Sequence, residues 1–203
     1  TGRLLVLARA RAYLFRLAGR FDEALAQARE SVERAKEFES PADEARGYAL
    51  EGAILHARGE LEASLAAFTR ARELGDQPTA RRGLWEAALH LDRGELGEAR
   101  ALTLSVREDM IARRWRVHAA EADALAGEVC VACGDLLGAE YHFERAREEA
   151  ERSGDVELGV RASALEHRLA KRSGEDDRAA RALRVGRERI AAHRALGLAG
   201  LFE

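Results

Sequence analysis

A glycine placed five residues before a small side chain recurs five times along this chain. The copies start at Gly19, Gly59, Gly94, Gly134 and Gly174, and the small residues are Ala24, Ser64, Ala99, Ala139 and Ala179. Successive glycines stand 40, 35, 40 and 40 residues apart. A period of this size marks an array of stacked supersecondary units, because one such unit cannot bury its apolar face alone. Five units of about 40 residues fill nearly all of the 203-residue chain.

The composition says what each unit is made of. Alanine, leucine, glutamate and arginine dominate and only two prolines occur, so helix is favoured throughout. In the second unit Ser40-Pro41-Ala42-Asp43 reads as a helix start, with serine as N-cap and proline at the first helical position. Gly59 ends that helix by taking a left-handed conformation at no steric cost. Leu61, Leu65, Phe68, Ala71 and Leu74 then form the apolar stripe of a return helix that Gly75-Asp76 breaks. Repeating this along the chain predicts helices over 3–18, 21–38, 41–58, 61–74, 77–93, 96–112, 114–133, 136–153, 156–173 and 176–196. The turn near Arg113-Arg114 has neither glycine nor proline and follows from the period alone. The short step between Gly59 and Gly94 follows from a return helix that stops a turn early.

The expected fold is all-α: a single domain over 1–203, with units at about 1–39, 40–76, 77–113, 114–154 and 155–196 and a tail at 197–203. The apolar tail and the immediate entry into helix at Leu4, Leu5 and Leu7 suggest a segment of a larger protein, or a tail packed on the last unit.

The Gly-acidic-Leu-x-x-Ala pattern, with aromatic and small residues at fixed offsets, resembles the tetratricopeptide repeat. The second unit carries it best, at Tyr48, Gly52, Leu55, Gly59, Leu61, Phe68, Ala71 and Pro78, departing at Ser64; the fourth matches at Gly127, Gly134, Leu136, Ala139, Phe143 and Ala146. The longer period is similar to helical regions of large bacterial signalling proteins, such as ATP-dependent transcription activators. The resemblance implies a right-handed superhelical solenoid of about five antiparallel helix-turn-helix repeats, with a concave face lined by each unit's first helix. In that register the lining includes Tyr13, Arg16, Arg46, Ala49, Ala53, His56, Arg81 and Arg168. Its arginines would fork onto partner carboxylates, or else pair with neighbouring glutamates. The chain has no asparagine, so the family's carboxylate clamp and asparagine ladders have no residues here.

Charge and motif content narrow the function. The formal net charge is −3, leaving no basic surplus for a phosphate backbone, although Arg113, Arg114 and Arg116 form a local cationic patch. No apolar run approaches the roughly 20 residues of a membrane span. Cys130 and Cys133 form a CxxC, but at the end of a helix rather than its start, so they read as small buried residues. The six histidines include no metal-binding pair, no glycine loop could cradle phosphate, and no serine sits in a nucleophile elbow. Carboxylates are expected to pair along helix faces, as Glu30–Arg34, Arg145–Glu149 and Glu148–Arg152. Neither catalysis nor a cofactor is expected.

Trp115, flanked by the arginines, reads either as an interface hot spot or as inter-repeat packing. Arginine and alanine bias fits a high-GC bacterial genome, and two cysteines fit a cytoplasmic setting. The expected function is a regulatory scaffold that binds a protein or peptide partner, or another domain of its own polypeptide, and neither nucleic acid nor membrane. The alternative is an effector-sensing domain of a transcription activator or signalling enzyme that binds a small molecule.

Overall fold

Helix-favouring composition and regularly spaced breakers produce an all-α architecture. The computed structural model describes residues 2–75 and 80–202, the side chains of residues 2, 3, 80 and 81 excepted. Among the described residues there are ten α-helices, one 3-10 helix and no strand. The chain divides into two compact units, Thr1–Pro78 and Thr79–Glu203. The first holds α1 (Gly2–Leu17), α2 (Phe21–Glu37), α3 (Pro41–Ala57) and α4 (Leu61–Glu73). The second holds α5 (Ala80–Asp92), α6 (Leu96–Ala112), α7 (Arg116–Cys133), α8 (Leu136–Ser153), α9 (Val156–Ser173) and α10 (Asp176–His193), then the 3-10 helix Leu196–Phe202.

Within each unit every helix packs on the next in sequence, and alternate helices also touch: α1 with α3, α5 with α7, and α7 with α9. This is the contact pattern of a helical solenoid built from repeats. The return helix α4 has 13 residues, whereas α2, α6, α8 and α10 have 17 or 18. The missing turn contributes to the short step in the glycine period.

The recurring glycines close the hairpins. All five have positive φ, between 73° and 80°. At each, the next residue's N–H reaches back to a carbonyl five residues earlier, as from Glu60 to Leu55 at 3.0 Å and from Asp135 to Cys130 at 2.9 Å. That bond satisfies a carbonyl the helix end would leave orphaned. The small residues five positions on are all fully buried. Ser64 is no exception, since its hydroxyl donates to the Gly52 carbonyl at 2.8 Å. Phe68 lies flat on Gly52, with ring carbons 3.0–3.1 Å from where a Cβ would stand. Phe143, at the equivalent sequence position in the second unit, is buried with Val131, Ala139, Leu165 and Leu169 around it.

Several expectations change. Ser40 stands at the N-cap of α3, but its hydroxyl donates to the Asp43 carboxylate at 3.0 Å rather than capping the helix. α10 ends at His193, because Arg194 turns left-handed at φ 53°. The residues beyond it pack on α9 and α10: Leu198 is buried, and the Phe202 ring covers Gly186. Cys133 is exposed rather than buried, since it faces outward in the last turn of α7. The expected start of the fifth helix at residue 77, together with Asp76, Pro78 and the Arg81 side chain, lies outside the described residues.

Candidate functional site

In the first unit the nominated Arg46 shares its acid with a second arginine, Arg9. Arg9 of α1 and Arg46 of α3 both donate to Asp43 Oδ1 at 2.9 Å. Burial acts to raise the Asp43 carboxyl pKa, and hydrogen bonds from Ser40, Arg46 and Arg9 hold it below the usual range. Arg16 is buried with its guanidinium 5.2 Å from the centre of the Tyr13 ring, and His56 is half-buried. Ala49 and Ala53 do not line an open groove. Close helix approach draws both into the core, at 1% and 3% exposure.

In the second unit Arg168 of α9 donates to Glu128 of α7 at 2.7 Å and to the Leu201 carbonyl at 3.1 Å. Nearby, Arg161 is half-buried close to Glu157, Glu128 and Glu121. Desolvation opposes its charge, and those carboxylates outweigh it, so its pKa rises. Arg178 of α10 ties three helices together, gripping Glu140 with both terminal nitrogens and Glu166 with Nε. These pairs neutralise the helix faces rather than leaving them free to take up a ligand.

The most committed acid is Asp123 of α7, with 1% of its side chain exposed. It accepts hydrogen bonds from Arg107 Nε at 2.7 Å, His142 Nδ1 at 2.8 Å and Arg145 Nε at 2.9 Å. Burial alone would raise its pKa; the three donors hold it below the usual carboxylate range. This buried demand overrides the expected helix-surface pairing. Arg145 turns inward to Asp123 instead of Glu149, and Arg152 takes Glu149 instead of Glu148. Glu30 and Arg34 do pair as expected, at 2.6 Å.

Cys130 carries no activated thiolate. Cys130 is half-buried, and desolvation followed by the Asp135 charge pushes its thiol pKa up. Among the described residues no group of three or more His, Cys, Asp or Glu could hold a metal ion. None of the described helices is long and apolar enough to cross a membrane.

The α6–α7 turn presents a half-exposed tryptophan at a helix start. Arg114 closes α6 in the left-handed conformation at φ 59°, a role glycine fills in most of the other turns. Its N–H donates to Ile111 and that of Trp115 to Met110, at 3.0 and 2.9 Å, the same closure made at the glycine turns. Trp115 is then the N-cap of α7, with no side chain able to cap. The equivalent residues before α8 and α9 are Asp135 and Asp155, whose carboxylates accept from Gly138 and Leu158 N–H groups at 2.9 and 2.8 Å. A tryptophan here forgoes roughly 1 kcal/mol of capping. Its ring is 47% exposed, with the Arg113 guanidinium 5.4 Å from its centre and His118 edge-on at 5.9 Å.

Trp115 stands at the mouth of a cleft of about 410 Å³ between the end of α6, the start of α7 and the end of α8. Buried Met110, Ala119 and Ala120 line it, with exposed Ile111 on the wall. Arg114, Arg116 and Arg145 contribute the cations, and Glu148, Glu149 and the occupied Asp123 the acids. The Arg114 side chain makes no hydrogen bond or ion pair with any described residue. Arg116 reaches Glu149 at a long 3.3 Å with 65% of its side chain exposed, while Arg152 holds the same carboxylate more closely, with a bond of 2.9 Å.

Trp115 and Arg168 do not converge. Arg168 meets α7 at Glu128, thirteen residues beyond Trp115 and so roughly 20 Å along the helix. Tyr13, Arg16, Arg46 and His56 belong to the first unit, and Arg81 lies outside the described side chains. Sequence reading found Trp115 and its arginines but not the apolar floor. The signal available was a tryptophan where the period puts a helix cap. No family model matches the chain, and no curated protein is similar enough to count as a match.

Proposed function

We propose that this chain is a tetratricopeptide-like scaffold that binds a protein partner through the α6–α7 cleft. The observation that carries the reading is Trp115: a large ring half-exposed at a cap position, beside an arginine with no partner among the described residues. Exposed aromatic and arginine anchors at a concave site are where binding energy concentrates in protein interfaces. Elsewhere in the described structure Arg46 and Arg168 are spent on carboxylates of the chain itself, which supports a scaffold role for those faces. The repeat kinship is supported by five left-handed glycines at the hairpin turns and by five fully buried small residues five positions later.

The test is capture with paired baits. A partner of this cleft should be retained by the wild-type chain and by Arg46→Glu, and lost with Trp115→Ala and with Arg114→Glu. Retention by all four baits would refute the cleft as the docking site.

A further inference from the structure

The cleft's own chemistry restricts what can enter it. Its floor is apolar and shallow-sided: Met110 is fully buried, and Ala119 and Ala120 present only methyl groups. Trp115 and Ile111 stand exposed at its edge, so one large apolar side chain would cover surface now facing water. The volume of about 410 Å³ lies within the range of built ligand pockets, roughly 300–1,000 Å³.

The charges around it balance in number but are divided in place. Arg114, Arg116 and Arg145 line the cleft with Asp123, Glu148 and Glu149. The least committed cations stand on the Trp115 side. Asp109 takes Arg113 Nε at 2.7 Å, Asp123 takes Arg107 and Arg145, and Glu149 is held by Arg152. Arg114 is unspent, and Arg116 can leave Glu149 without stranding it. These two guanidiniums bracket Trp115 in sequence, and each is a planar fork that fits a carboxylate. The first turn of α7 carries no acid to offset them.

Building on the cleft as a docking site, we propose that its partner is an acidic peptide segment with one large apolar side chain. The side chain enters between Trp115 and Ile111, and flanking carboxylates pair with Arg114 and Arg116. Glu148 and Glu149 on the opposite wall confine negative charge to the Trp115 side and repel an extended polyphosphate track.

The test uses the full chain carrying Trp85→Phe, which leaves Trp115 as its single tryptophan, since the protein has two. Its emission is followed during titration with three synthetic hexapeptides and with a hexathymidylate. One peptide has leucine and phenylalanine flanked by two acidic residues on each side. The second has basic flanks, and the third keeps the acids around glycine and serine. The first should bind saturably with a blue shift, at least tenfold more tightly than the other ligands. Arg114→Glu with Arg116→Glu should weaken it about tenfold or more, and added salt should weaken it progressively. Both arginines are exposed, so helical circular dichroism should be unchanged in that variant.

Equal or tighter binding of the basic peptide would overturn the acidic partner and leave the docking site standing. Preference for the oligonucleotide would overturn the peptide. A blue shift produced by protein concentration alone would make a second copy the occupant and also overturn it. Silence of Trp115 toward every ligand would refute both the inference and the site.

Discussion

At the residue scale, left-handed turn positions and helix caps separate what stabilises this chain from what it presents. Gly134 has φ 79° with nothing within 4 Å of a built Cβ, so Gly134→Ala meets no steric neighbour and pays only the backbone cost. That cost is about 1–2 kcal/mol, to be read as a lowered midpoint in denaturant unfolding. Arg114 is the inverse case, a side chain already held at φ 59°. Trp115 is the sharper one. Trp115→Asp supplies the capping carboxylate that Asp135 and Asp155 provide at the following helices. It should stabilise the fold by roughly 1 kcal/mol while abolishing partner binding. A loss of stability would mean that the ring is a packing element and not a presented anchor.

At the element scale, the second unit is fastened by charges buried between helices as well as by apolar contact. Asp123 joins α7 to α6 through Arg107 and to α8 through His142 and Arg145. Asp123→Ala would leave those cations without their shared carboxylate. Removing one partner of a buried pair costs roughly 3–5 kcal/mol, and the partial exposure of Arg145 places this case near the lower end. The pH dependence has a definite sign. The folded carboxyl pKa lies below that of the unfolded chain, near ~3.9. Its stabilisation is therefore complete above that value and is lost as pH falls through the lower, folded pKa. Acid titration of the wild type should show a steep loss of helix below about pH 4 that is shallower in Asp123→Ala. The same cluster explains why surface pairing rules failed at Arg145: satisfying a buried carboxylate outweighs an exposed i,i+4 pair worth only a few tenths of a kcal/mol.

At the scale of the whole molecule, two compact units each own a core. In a repeat array stability is a sum of unit and nearest-neighbour terms. Phe68→Ala, which empties the space over Gly52, should cost roughly 3–5 kcal/mol and speed amide exchange through α1–α4. Exchange in α7–α9 should be nearly unchanged; equal acceleration there would mean that the chain unfolds as one body. The helical hairpins, their turns and the short α4 were legible in the sequence because they rest on local chemistry. Glycine placement and apolar period act within a few residues of chain. The turn at Arg114 was legible only from the period, since arginine carries no local signal for a left-handed bend. What the sequence could not specify were the choices among partners distant along the chain. Arg145 had both Glu149 on its own helix and Asp123 on another to choose from, and only packing decides that it goes inward to Asp123 while Arg114 is left over. Sequence alone therefore determined the repeating all-α architecture and put Trp115 beside its arginines. Tertiary structure alone decided that Met110, Ala119 and Ala120 lie beneath that tryptophan to make a cleft, because burial and charge satisfaction are settled between helices and not along them.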